Sequence, residues 1–138
     1  KGNYDYGGYP GGTYHYGVDF APKQAGVDGD PVIAGGDGTV AYVCSVAESG
    51  GAGQGNCIGI RMDRNTQHYL LYMHLCKKPK FNVGDRVKAG QVIGYMGNTG
   101  NSSGTHLHLG LHVGSVWPSK ASGNRKDPLP YLGKSIRN

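Results

Sequence analysis

No stretch of eleven residues in this chain spaces its apolar side chains at the 3.6-residue period of an amphipathic helix. Glycine fills 26 of the 138 positions, from one end to the other, with no G-x-y period of the collagen kind. Such a chain suits many short strands joined by tight turns. The expectation is an all-β protein: a small, Gly-rich antiparallel β-sheet or sandwich with long loops walling a groove. Its length allows a single domain over 1–138 with a real core. It starts at Lys1 with neither an initiating Met nor a signal peptide, as a region excised from a longer exported protein would.

Several strands can be read directly. "HYGVDFAP" reads as a short strand ended by Pro22. After the turn signal "GDG", Val40, Tyr42 and Cys44 alternate with Thr39, Ala41 and Val43. "CIGIRMD" and "HYLLYMHL" form a hairpin around "RNTQ". "FNVGDRVKAGQVIGYMGNTG" is a set of short strands bent at glycines, and "THLHLGLHV" is a further strand. Residues 1–14, rich in Gly and Tyr, read as a loop lying across the domain, 48–56 as another loop, and the tail from Trp117 as polar and Pro-bearing.

Charge and cysteines narrow the setting. A formal charge of +5 favours an anionic surface. Neither basic cluster (Lys77, Lys78 and Lys80; Lys120, Arg125 and Lys126) is interleaved with the aromatic platforms of a single-strand nucleic-acid binder. Both clusters read as solvated faces, and no nucleic-acid partner is expected. No apolar run reaches the length that spans a bilayer. If "GTVAYVC" and "NCIGIRM" pair as a hairpin, Cys44 and Cys57 stand opposite each other, and a disulfide there would staple the loop between them, leaving Cys76 over.

The chemistry is concentrated in six histidines and one aspartate: His15, His68, His74, His106, His108, His112 and Asp19. In "SGTHLHLGLHV" the histidines at 106, 108 and 112 share strand parity, so a strand would line them along one face. "HYGVD" puts His15 and Asp19 four residues apart, and His74 ends a third strand. Three-ligand zinc sites use neutral imidazoles and a carboxylate, with one position open. An isolated histidine on an apolar strand is more often a hydrogen-bonded core or rim residue. His68, which shares the parity of His74, reads as a partly exposed strand residue. His112 stays open, as a neighbour of the site or a core residue. Spacing alone gives a metal site without fixing its ligands.

"HYGVDFAP", "YMHL" and "VGDRVKAGQVIGYMGNTGNSSGTHLHL", in that order, resemble the LytM/lysostaphin family of zinc metallopeptidases, over roughly 9–109. The resemblance implies zinc (Zn2+) held by His15, Asp19 and His108, with His74 and His106 as unligated catalytic histidines. It also implies Tyr9 as a hydrogen-bond donor to the oxyanion. No H-E-x-x-H glutamate is present, so histidine would carry the proton work. The implied activity is a zinc-dependent endopeptidase acting on bacterial peptidoglycan, in its cross-bridges or at the stem–bridge junction. The bond would be Gly–Gly, D-Ala–Gly or D-Ala–L-Ala. The implied protein is a bacteriolytic monomer, secreted or wall-associated.

Two other readings have different chemistry. A catalytically silent peptidoglycan-binding or hydrolase-activating module of the same fold would lack one or more metal ligands, and here all five polar positions are filled. "VGDRVKAGQVIGYMG" resembles the strand–turn pattern of biotinyl/lipoyl carriers. It lacks an identifiable carrier lysine, so that likeness is ascribed to the shared need for glycine at tight turns.

Overall fold

The structure is a computed structural model that describes residues 17–47, 53–100, 102–118 and 124–132, and the backbone of 7–8 and 14–15. Among the described residues eleven strands follow in chain order. They are β1 (Gly7–Gly8), β2 (Tyr14–His15), β3 (Val18–Phe20), β4 (Pro31–Ile33), β5 (Gly38–Cys44) and β6 (Asn56–Met62). The remainder are β7 (His68–Leu75), β8 (Arg86–Val87), β9 (Val92–Tyr95), β10 (Leu107–Val113) and β11 (Arg125–Lys126). Among the described residues the only helical turn is the 3₁₀ segment Leu129–Tyr131. The all-β expectation holds.

Every ladder is antiparallel. The principal sheet runs β11-β10-β7-β6-β5-β8, with β3 beside β11 along the edge of β10 that β7 leaves open. β1 pairs with β2, and β4 with β9, as two-stranded ribbons. Strand alternation divides the principal sheet into two faces. Leu107, Leu109 and Leu111 of β10 join Leu70 and Tyr72 of β7 and Ile58 and Ile60 of β6 in the main core. The opposite face carries a smaller cluster of Cys57, Leu71 and Met73 under Tyr42, Tyr69 and Val116. Burial of the leucine row, at roughly 1.5–3 kcal/mol per side chain, fixes the register. A one-residue slip would turn every core leucine of β10 outward.

Several local expectations change. "HYGVDFAP" is two short strands, β2 and β3, parted around Gly17. In β5 the register shifts between Val40 and Tyr42, so Ala41 is a bulge and Val40 and Val43 both reach the main core. Val40 therefore does not share a face with Tyr42 and Cys44. Cys44 and Cys57 are partners in register, as the hairpin requires, but both are free thiols rather than a disulfide. Cys44 donates its thiol proton to the Ser45 carbonyl, and burial pushes the Cys57 thiol pKa upward. The tail is less polar than it reads, because Leu129, Tyr131 and Leu132 pack on the main core.

Candidate active site

Because the odd-numbered leucines of β10 enter the core, its even-numbered histidines face the other side of the sheet. His108 sits mid-row, paired with Asp19 on β3 and with Met73 on β7. Val18 and Phe20 go into the core, which leaves Asp19 beside His108 on the histidine face. Asp19 Oδ1 is 3.0 Å from His108 Nδ1 and 3.8 Å from His106 Nε2. The chain reaches Asp19 by passing tightly over β10. A Cβ on Gly17 would lie 2.5 Å from the Leu109 carbonyl oxygen and 2.7 Å from His108 Nε2, so this position admits no side chain.

His74 reaches the same face by a different device. Between the pairs Asn56↔Leu75 and Ile58↔Tyr72, β6 has one residue, Cys57, where β7 has two, Met73 and His74. This bulge resets the alternation, so that Tyr72 and Leu75 both enter the core. His74 is the one non-glycine residue with positive φ (64°) among those described, a conformation costing roughly 1–2 kcal/mol. Its imidazole centroid lies 4.7 Å from that of His106 and 6.1 Å from that of His108.

Main-chain carbonyls orient the imidazoles of His74 and His106. His74 donates from Nδ1 to the Thr99 carbonyl at 2.7 Å, and His106 from Nδ1 to the Gly104 carbonyl at 2.8 Å. Each ring is left with Nε2 as its accepting nitrogen. Thr99 is itself fixed, since its hydroxyl donates to the Leu75 carbonyl and accepts from the Asn56 N–H. The buried Asn56 amide donates to Leu75 O and accepts from the Val46 N–H. Burial lowers the His74 pKa to about 4, helped by His106 and His108 and opposed by the Thr99 carbonyl and Asp19. His74 is therefore neutral at pH 7.

The donor set fits zinc. Carboxylate and imidazole donors ~2.0–2.2 Å from a tetrahedral ion stand ~3.3 Å apart, close to the Asp19–His108 separation. Among the described residues alone, no group of three donors is complete. His15 lies on β2, four positions before Asp19, and its side chain is outside the described residues, as is Tyr9.

Two histidines go elsewhere. The bulge breaks the parity that His68 shares with His74, so His68 lies on the other face of the sheet. It is buried at 6% exposure rather than partly exposed, edge-on to Tyr131 and within hydrogen-bonding distance of the Asn65 amide. His112 keeps the face of His108 but is buried under Trp117, donating from Nδ1 to the Val116 carbonyl. The positioning roles of Thr99, Gly104 and Asn56 escape the sequence reading. Thr99 and Gly104 lie within the quoted "TGNSSGTHLH", so a signal existed for them. Asn56 has none.

Comparison with known proteins identifies the family. Residues 13–126 match Peptidase family M23. The chain is 41% identical over 139 residues to the glycyl-glycine endopeptidase ALE-1 of Staphylococcus capitis, covering 96% of this chain and 33% of that protein. It thus spans about a third of that relative's length. Its fold superposes on the catalytic domain of the antimicrobial peptidase lysostaphin from Staphylococcus simulans with a TM-score of 0.76 and 38% identity, covering 96% of this chain and 91% of that one. A zinc-containing peptidase from Vibrio cholerae aligns with a TM-score of 0.61 and 32% identity, over 81% of this chain and 32% of that one. With a β10 row that joins Asp19 to His108, and a bulge that brings His74 to His106, the chain belongs to peptidase family M23, a family of metallopeptidases.

Proposed function

We propose that this chain is a zinc-dependent endopeptidase that hydrolyses peptide bonds of bacterial peptidoglycan, within the cross-bridge or at its junction with the stem peptide. The observation that carries the proposal is the convergence of Asp19, His74, His106 and His108 on one sheet face, with His74 and His106 tethered through Nδ1. His15, Asp19 and His108 would hold the metal. Zinc bound there would supply a Lewis acid for the scissile carbonyl and lower the pKa of a water from ~15.7 to ~7.

The remaining steps fall to the protein. His74 stays neutral at working pH, so its Nε2 accepts the proton of the attacking water. The proton so taken is then returned from the same Nε2 to the leaving amine, and His106, whose ring lies 4.7 Å from that of His74 with its own Nε2 open, is placed to act in the same way. Tyr9 donates to the oxyanion, a contact of a kind commonly worth ~3 kcal/mol. Near the site Gly55 packs on Thr99 and Gly100 on Gly53 and Gly55, so two Gly-rich loops lie in contact there, and a groove walled by such loops would admit small residues such as the glycine and alanine of bridges. The whole enzyme would act outside the cell, on wall material.

The test is mass spectrometry of fragments released from purified walls with pentaglycine or alanine bridges, with and without a chelator. Chelator-sensitive fragments with new amino termini support the proposal and name the bond. Silence on both walls from a protein carrying stoichiometric zinc would replace it with the non-catalytic binding module.

A further inference from the structure

A groove of about 460 Å³ opens between residues 76–81 and β9, lined on its apolar side by Phe81, Val92, Ile93 and Tyr95. Its place in the sheet ties it to the candidate active site. Leu75 and Met96 form a bridge and both enter the main core. Strand alternation therefore puts their neighbours Cys76 and Tyr95, which line the groove, on the face occupied by His74 and Gly97. Cys76 donates its N–H to Tyr95 O, and two residues further along Gly97 O accepts the N–H of His106. The groove thus begins two residues beyond His74 and Gly97 along the same two strands, beside the histidine cluster.

Its charge is one-sided. Lys77, Lys78 and Lys80 line it, and among the described residues no carboxylate does. The lysines are solvated, as the sequence suggests, but they are concentrated beside the site rather than spread over a neutral surface. The apolar side is unusually open: Tyr95 is 50% exposed and Val92 42%. Ammonium groups beside an exposed aromatic ring and aliphatic side chains suit an anionic ligand that also carries small apolar groups.

We propose that this groove is a subsite for the carboxylate-bearing peptide segment that flanks the scissile bond, with Lys77 and Lys80 receiving its free carboxylates. The proposal rests on the peptidoglycan reading above and adds to it a charge preference distant from the chemistry. A phosphodiester polymer would satisfy the lysines but gain nothing from Tyr95 and Val92, so the peptide is the occupant favoured.

The test compares two cross-linked muropeptides, one with free carboxylates and one with them converted to neutral amides. The parent protein should show a KM at least fivefold lower on the free acid, an advantage that fades with added salt. The double variant Lys77→Gln/Lys80→Gln should raise KM about tenfold on the acid while leaving kcat, and both constants on the amide, unchanged. Lys78, which makes a contact of its own, stays in place. Equal KM values for the parent, or a variant that shifts both substrates alike, overturn the subsite.

Binding of the uncross-linked stem peptide, followed by backbone amide shifts at 77–81 and Tyr95, needs no turnover. If neither muropeptide is cleaved, the hydrolase reading falls, and shifts that disappear in the double variant still support the groove. Absence of shifts overturns it. So does a double variant that loses retention only on walls bearing phosphate polymer.

Discussion

The Nδ1 of His74 lies 2.7 Å from the carbonyl oxygen of Thr99, and that bond decides which nitrogen of the ring faces the candidate site. Without it the bulged residue could present either tautomer. If His74 and His106 move protons and do not bind metal, His74→Ala or His106→Ala should lower kcat by about 10²–10⁴-fold. The metal content of the purified variant should equal that of the parent by elemental analysis. Loss of metal from either variant would falsify the assignment of ligands.

Asn56 should matter to rate although it touches no reacting group. Its side chain links the Val46 N–H to Leu75 O, and its own N–H supports Thr99. Asn56→Ala removes the bond from the half-buried Val46 N–H and the buried donor to Leu75 O, which should cost about 1–3 kcal/mol in urea unfolding. The Asn56 N–H still reaches Thr99 in this variant, but the Leu75 carbonyl that also accepts the Thr99 hydroxyl loses its second donor; with Thr99 thereby shifted under His74, kcat should fall while KM and bound metal hold. A variant equally unstable but kinetically normal would show that the clasp serves the fold alone.

Gly17 offers a test by steric intrusion. The added methyl of Gly17→Ala would press on the Leu109 carbonyl and on His108. With His108 displaced from Asp19, metal affinity should drop at least tenfold in a chelator competition. Unchanged affinity would mean that the β2–β3 link yields and that His108 keeps its position.

Acid should weaken the fold through the histidines outside the site. Burial is the main cause holding the His112 pKa at about 4, against its ordinary 6.5; Arg125 and His108 add to the shift and the Val116 carbonyl opposes it. His68 shifts in the same direction, also through burial. For a histidine depressed on folding, the unfolded chain takes up the proton first. Stability is therefore complete above pH 6.5 and declines as pH falls towards 4. The His112 share is at most roughly 3 kcal/mol. Unfolding free energies measured at intervals from pH 7 to pH 4.5 should decline less steeply for His112→Gln than for the parent.

The thiols should separate by reactivity. Cys76 is half-buried, whereas Cys44 and Cys57 are buried in the sheet. A maleimide should label Cys76 within minutes on the native protein and all three only after denaturation. Failure of the two sheet thiols to label even when denatured would show that they are oxidised to the disulfide expected from the hairpin.

Much of this site was legible in the sequence because it depends on local parity. "HLH" within an apolar alternation fixes two imidazoles on one face, and "HYGVD" leads directly into the strand that lies beside them. What the sequence hides is set by partners. The bulge at Met73 and His74 arises from the register against Asn56 and Cys57, and nothing in "HYLLYMHL" announces it. The misreading of His68 follows, since an unbroken strand would have put it on the same face as His74. Ala41 is the same case in β5. His112 finds its acceptor in the tail, at Val116, beyond the motifs that drew attention to it.

The imidazoles of His74 and His106 are both held by peptide carbonyls, those of Thr99 and Gly104. A carbonyl is common to every amino acid, so side chains in this loop can drift over generations without deleting either acceptor. Spacing has no such freedom where it is short: Gly104 stands two residues before its ring, so one residue gained or lost between 104 and 106 would carry that acceptor away, whereas Thr99 is pinned to Asn56 and Leu75 whatever the length of the loop that follows it.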